Sequence, residues 1–144
     1  MAGISQPETK LPDYFPATLR FVLVRGDGSG CIIEFKAGQL RYGYSQWIAA
    51  CEPKALPSLS ADQWERFWAA VNAAGVWHWA PAYEAAAVAA GKFWTLELSP
   101  AGRFVHSYGC SAYPGADGPD FPETCAFAKL RHALGQLCGR IAIG

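Results

Sequence analysis

The chain has 144 residues, of which 51% are hydrophobic and 17% charged, enough apolar material for a buried core and too much for a disordered protein. Twelve Lys and Arg balance twelve Asp and Glu, and the halves balance separately, with seven of each sign in residues 1–72 and five of each in residues 73–144. Because nucleic-acid-binding domains usually carry a basic excess, this balance argues against a nucleic-acid partner, and nothing in it favours an anionic membrane.

The N-terminal residues and the cysteines predict a cytoplasmic protein. Residues 1–17 carry prolines and acids without the apolar stretch of a secretory signal, so we interpret them as an extended arm. No stretch approaches the roughly 18 apolar residues of a membrane-spanning helix. The five cysteines are widely spaced with no C-x-x-C pair, which is typical of reduced thiols. We therefore expect no disulfide framework, no metal site and no cofactor.

Three alternating segments in the first half predict a β-meander. Apolar and polar residues alternate over residues 19–25, 31–36 and 39–44, as in half-buried strands. The first turn would be the Gly-Asp-Gly-Ser-Gly stretch at 26–30, and the second would be Ala37-Gly38. The 26–30 stretch lacks the Lys-Ser/Thr and the helix of a phosphate-binding loop, so we interpret it as a hairpin turn.

The clearest local signal predicts a helix over residues 61–74. Ser60 and Gln63 form a capping box at its start, and Gly75 supplies a C-terminal stop. Four large apolar residues then share one face of the helix. They are Trp64, Phe67, Trp68 and Val71.

The second half repeats the strand and helix signals. Residues 76–79 are a short strand candidate ended by Pro81, and residues 82–91 are interpreted as a loop. Further strands are predicted over 93–98 and 103–108, and in the latter the apolar face is assigned to Phe104, His106 and Tyr108. The stripe of a second helix consists of Phe127, Leu130, Leu134 and Leu137.

An offset of 63 or 64 residues relates the two halves, both in the strands and in the helix stripes. We therefore predict one α+β domain over residues 18–144, built from pseudo-repeats 18–75 and 76–140. Each repeat is a strand–strand–helix unit. Side by side they would form an antiparallel sheet of about five or six strands with both helices on one face. The other face would be partly open, and the repeat-equivalent Glu34 and Glu97 would lie on it.

A thiol nucleophile is one interpretation of the loop over residues 108–114. A thiol needs a nearby base to ionise at neutral pH, and His106 or His78 could serve Cys110 in that role. The sequence supplies no oxyanion element or third catalytic residue, and a plain loop explains the same residues. For His106 we favour a buried, hydrogen-bonded side chain. The two histidines and Cys110 lack the closely spaced ligand pairs of a zinc site.

The six tryptophans carry the favoured hypothesis. Trp64 and Trp94 fit the core, but the other four do not all fit there easily. Since Trp and Tyr are enriched among interface hot spots, we predict an aromatic surface that contacts a protein partner. Its residues are Trp77, Trp79, Tyr108 and Tyr113.

Aromatic blocks in the second half resemble those of small uncharacterised bacterial proteins. The blocks are W-x-W at 77–79, W-x-L-x-L at 94–98 and S-Y-G-x-x-A-Y-P at 107–114. The resemblance spans about residues 64–130 and implies no activity, cofactor or functional residue.

These features favour a non-catalytic protein-binding module, such as a small inhibitor, an immunity protein or a phage or bacterial anti-defence protein that occludes its partner. Two alternatives stay open: a cysteine-dependent enzyme using Cys110, and a small-molecule-binding domain with a pocket between sheet and helices. A homodimer is also open, since an unpaired sheet edge can pair with a second copy.

Overall fold

A computed structural model describes residues 14–84, 93–100, 102–110 and 125–139. Within these residues the chain forms a seven-stranded sheet and two α-helices, which confirms the α+β class. The strands are β1 Thr18–Val24, β2 Gly30–Lys36, β3 Gln39–Ser45, β4 Lys54–Ala55, β5 Ala82–Glu84, β6 Phe93–Ser99 and β7 Val105–Cys110. The helices are α1 Ala61–Ala73 and α2 Cys125–Leu137.

The strand order across the sheet is β4-β3-β2-β1-β6-β7-β5. Every pairing is antiparallel except that of β5 with β7, which is parallel. The prediction of five or six antiparallel strands was therefore wrong in number and in type. The two extra strands are short pieces of two and three residues at the sheet edges, too short to leave an alternation in the sequence.

The central strand β1 joins the two halves of the chain. It pairs with β2 on one side and with β6 on the other, from Thr18 opposite Ser99 to Val24 opposite Phe93. Its alternating pattern directs Leu19, Phe21 and Leu23 to one face, where each is buried. We call this the inner face, because both helices pack against it.

Aromatic contacts hold both helices to the inner face. Trp64 of α1 lies edge-on to Phe35 at 5.5 Å between ring centroids, and Phe127 of α2 lies 6.1 Å from Phe21. Phe127 also packs on Trp94 at 4.9 Å. The predicted helix stripes are both buried, apart from the half-buried Trp68, so their assignment is confirmed.

The start of α1 has the predicted capping box. The backbone N–H of Gln63 donates to the Ser60 hydroxyl at 3.2 Å, and the Ser60 N–H donates back to the Gln63 side chain at 2.8 Å. These bonds satisfy two backbone groups that a helix start otherwise leaves unpaired. At the other end, Gly75 adopts the left-handed conformation expected of a helix stop, with φ of 70°.

Two local predictions were wrong. Residues 76–79 do not form a strand, because Val76–His78 is a single 3-10 turn that follows Gly75 directly. Ala82–Glu84 was assigned to a loop but forms β5, and the Tyr108 N–H also donates to the Pro81 carbonyl at 3.0 Å. The Ser107 hydroxyl, fully buried, donates to the Ala80 carbonyl at 2.6 Å and holds this segment against β7.

The internal repeat fits the helices but fails in one strand. Phe35 lies opposite Leu40 across the β2–β3 turn, whereas Leu98 lies opposite Val105 across the longer β6–β7 turn. Leu40 is thus equivalent to Val105, one residue beyond the position that the sequence offset matched to it. Since strand side chains alternate, a one-residue slip moves each of them to the opposite face.

The described part of the N-terminal arm packs on the core. The Phe15 ring contacts Phe35 at 5.2 Å and Trp64 at 5.8 Å, and Pro16 is buried. Residues 1–13 lie outside the described residues. Neither helix in the described part of the chain is both long and apolar enough to cross a membrane.

The β2–β3 turn generates a stability prediction, because Ala37 has φ of 54° and Gly38 has φ of 77°. Two positive values define the type I′ hairpin turn, in which Asn-Gly is the preferred pair and a Cβ-bearing residue other than Asn or Asp is strained. Ala37→Asn is expected to raise the free energy of unfolding by about 0.5–1 kcal/mol, measured by urea denaturation. Ala37→Val should lower it by about 1 kcal/mol or more despite its higher strand propensity. Equal effects of the two substitutions would contradict this account.

Candidate functional site

Trp77, predicted to contact a partner, is largely engaged within the molecule. Its ring stacks on Trp68 with centroids 6.3 Å apart, and the Arg103 guanidinium lies 5.6 Å from its centroid. Its indole N–H donates to the Asn72 side chain at 2.6 Å. These contacts tie the 3-10 turn to α1 and to the β6–β7 turn.

Trp79 is packed on the helix side of the sheet as well. Its ring stacks on Phe127 at 6.3 Å and lies edge-on to Trp94 at 5.8 Å. Tyr108 belongs to β7 on the opposite side of the sheet, and Tyr113 lies outside the described residues. The structure therefore does not bring the described members of the predicted aromatic surface to one face.

His106 was predicted to be buried on the apolar face of its strand, and this was wrong. Its side chain is 53% exposed, and Nε2 lies 3.8 Å from Glu97 Oε1. The one-residue slip explains the reversal, because Val105 and Ser107 take the buried positions instead.

The strand also separates His106 from Cys110. Both belong to β7, and four residues of extended chain span about 13 Å, beyond hydrogen-bond reach of one side chain to the other. The side chain of Cys110 lies outside what the structure describes. The other suggested base, His78, lies at the 3-10 turn next to the helix side of the sheet.

The outer face of the sheet, away from the helices, carries a row of ionisable side chains whose charges alternate in sign, the last of them a histidine that is charged only when protonated. We call it the charge row, and its members occur in strand order β3, β2, β1, β6 and β7. They are Arg41, Glu34, Arg20, Glu97 and His106. Each is directly opposite the next, and Arg20 Nε lies 3.9 Å from Glu34 Oε2. Glu34 and Glu97 are thus on the outer face as predicted, with Arg20 between them.

Two rows of mostly apolar side chains lie next to the charge row on the outer face. The apolar rows consist of Ile32, Val22, Thr95 and Tyr108 in one row and Val24 and Phe93 in the next. Phe93 is 48% exposed, and most of the others are half-buried. The apolar rows could have been predicted from the sequence, because Val22, Val24 and Ile32 are apolar at positions where a half-buried strand would carry polar residues.

The linker between β3 and α1 covers one side of the outer face. A Cβ placed on Gly43 would lie 2.9 Å from Cys51 Sγ and 3.0 Å from the Pro53 backbone, so the linker crosses β3 there in close contact. Trp47 lies at the end of the sheet, where its ring occupies the space beside Gly28 and stays 62% exposed. The accessible part of the outer face is consequently centred on β1 and β6.

A shallow groove runs between the solvent sides of α1 and α2. It holds two adjoining cavities of about 290 and 360 Å³ that share Ala70 and His132. Phe67 and Leu137 contribute to the first cavity, and the second is lined mainly by alanines. This groove lies on the solvent side of the helices rather than between the helices and the sheet, where the small-molecule alternative placed a pocket.

Burial suppresses the reactivity of two cysteines in the core. Removal from water raises the pKa of the Cys31 thiol to about 11 and that of Cys138 to about 12. Desolvation also raises the pKa of Cys51, which is only partly buried beside Gly43. Since the thiolate is the nucleophile, none of these three is activated. In the described part of the chain, no three His, Cys, Asp or Glu side chains group closely enough to hold a metal ion.

Comparison with known proteins yields no assignment. No protein-family model matches the chain, and no curated protein is significantly similar to it.

The buried thiols generate a prediction about alkylation. With iodoacetamide at pH 8, Cys51 is expected to be modified well before Cys31 and Cys138, because those two are nearly inaccessible and un-ionised in the folded state. Peptide mapping by mass spectrometry distinguishes the sites, and a sample in concentrated urea serves as the control in which all three react. Rapid modification of Cys31 or Cys138 in the folded protein would contradict their burial.

Proposed function

We propose that this chain is a non-catalytic protein-binding module that acts by occluding a partner protein, as a small inhibitor, immunity protein or anti-defence protein does. The observation that carries the proposal is the outer face of the sheet, where accessible apolar rows lie beside a row of paired charges. The partner would seat on the apolar rows and be oriented by the charge row.

The composition of this face supports a protein as the partner. Interfaces combine an apolar, aromatic centre with a polar rim, and contiguous accessible apolar side chains on a soluble domain commonly mark contact sites. Phe93 and Tyr108 supply aromatic area next to the β-branched Val22 and Val24. Among the members of the predicted aromatic surface that the structure describes, Tyr108 belongs to this face.

The charges of the face also favour a protein over a nucleic acid. Arg20 lies between Glu34 and Glu97, so its charge is offset within the sheet. A phosphate backbone would need an uncompensated basic stripe, whereas a protein surface can match alternating signs.

The sheet presents these side chains on a rigid support. Val22 and Val24 belong to the central strand, which is hydrogen-bonded on both sides. Fixing the backbone before binding lowers the conformational entropy lost on association. A pre-organised sheet surface suits occlusion of a partner better than enclosure of a small substrate.

The proposal is tested by affinity capture from the native host with the tagged chain and two variants. Phe93→Ala/Val24→Ala removes the outermost apolar row, so a stoichiometric partner captured by the wild-type chain should be lost or weakened at least about tenfold. The matched control is Phe104→Ala, since Phe104 is 64% exposed and lies in the turn at the far end of β6.

Retention of the partner by Phe104→Ala and its loss in the double variant support the outer face as the binding surface. Equal capture by all three proteins would overturn the assignment of this face. Purified partner and chain, compared by titration calorimetry with each variant, then give the affinities directly.

A further inference from the structure

We propose that the outer face binds a second copy of this chain, face to face, about a two-fold axis parallel to the strands and between β1 and β6. This inference rests on the proposed function, because it uses the same binding surface, and it identifies a second copy of the chain as a molecule that binds there. Self-association and partner binding would then compete for one surface.

The alternation of charge makes the outer face complementary to itself. Along the charge row the strands β2, β1, β6 and β7 present Glu34, Arg20, Glu97 and His106 in register. Neighbouring strands are about 4.8 Å apart, so the signs of Glu34, Arg20 and Glu97 alternate at that spacing, and His106 extends the alternation when it is protonated. A row of this kind matches a reversed copy of itself when the copies are offset by one strand.

The proposed axis supplies this offset. Rotation about a line between β1 and β6 places Arg20 opposite Glu97 of the second copy and Glu34 opposite His106 of the second copy. Each contact occurs twice, as two-fold symmetry requires. The Arg20 pairs lie nearest the axis, where the usual angle of about 30° between stacked sheets displaces them least.

The same rotation matches the apolar rows. Val22 comes opposite Thr95 of the second copy, and Val24 comes opposite Phe93 of the second copy. The half-exposed Phe93 ring would then be covered by a β-branched side chain, a pairing that also stabilises neighbouring strands. An axis running across the strands would instead place each strand opposite the same strand of the second copy. Arg20 would then meet Arg20, Thr18, Val22 or Val24 of that copy and no carboxylate.

The linker disfavours a neighbouring axis that also pairs opposite charges. A two-fold line between β1 and β2 would pair Arg20 with Glu34 and Arg41 with Glu97, but it would bring β3 opposite β6. Cys51 and Pro53 cross β3 on its outer side at Gly43, so they would collide with the second sheet. With the axis between β1 and β6, the linker at Gly43 instead comes opposite Ala82 of β5, a three-residue strand at the sheet edge, so its contact falls at the margin of the interface rather than at its centre.

The size of the surface predicts a weak, reversible dimer. Three strands of seven residues and one of six cover about 19 Å by about 23 Å, or roughly 900 Å² over two copies, which is at the low end for specific interfaces. The population of dimer should therefore depend on concentration across the range used in solution measurements.

The test uses sedimentation velocity of the full chain over a concentration series. The wild-type chain is expected to shift from monomer to dimer as concentration rises. Arg20→Glu alone and Glu97→Arg alone should each remain monomeric, because each puts like charges opposite one another twice. An equimolar mixture of the two variants should form a heterodimer, since one contact then joins the two substituted positions with opposite charges and the other contact is the native Arg20–Glu97 pair.

Recovery in the mixture distinguishes the proposed axis from the alternative. With the axis between β1 and β2, position 20 would meet Glu34 of the other copy, and mixing could not restore association. Both substitutions are on exposed side chains, so circular dichroism should show intact folds. If Arg20→Glu does not fold, Phe93→Asp replaces it as a variant expected to be monomeric.

A wild-type chain that stays monomeric up to its solubility limit overturns the inference, as does a mixture that remains monomeric while the wild-type chain dimerises. The proposed function fails separately. A monomeric chain whose captured partner is lost in Phe93→Ala/Val24→Ala would disprove self-association and leave the partner surface in place.

Discussion

The pairing of β1 with β6 is the constraint on which the rest of the structure depends. It joins two halves of the chain that would otherwise each expose one side of a small sheet, and it does so over seven consecutive residue pairs. Because the register aligns Phe21 with Leu96 and Leu23 with Trp94, the inner-face residues of both halves form one apolar surface. Both helices pack on that surface, and the accessible part of the outer face is centred on the same junction.

The sequence predicted the elements whose signals are local. Helix α1 was recognisable from Ser60, Gln63 and Gly75, since capping depends on neighbours within a few residues. The strands β1, β2, β3 and β6 were recognisable from alternation. The edge strands β4 and β5 were not, because two or three residues carry no period and form only where a partner strand is available.

The candidate site was less predictable than the fold, and one turn explains much of the difference. The β6–β7 turn is longer than the β2–β3 turn, so aligning the halves by sequence misplaced His106 and Tyr108 by one position. The high tryptophan content led to the prediction of an exposed aromatic surface in the same region, but Trp77 and Trp79 largely pack against other rings. Val22, Val24 and Ile32 on the outer face resemble core residues in the sequence, and only the strand pairing shows their orientation.

The separation of β1 and β6 along the chain has a consequence for biosynthesis. Their paired residues are about 70–80 positions apart, so a ribosome releases the β-hairpin of β1 and β2 well before the strand that completes it. During that interval the free edge of β1 and the apolar side chains of the inner face are open to water and to other nascent chains. Slow codons between residues 46 and 92 would lengthen this period, whereas chaperone contact during it would protect the exposed strand. The yield of folded protein should therefore be more sensitive to the translation of residues 46–92 than to that of the residues after β7.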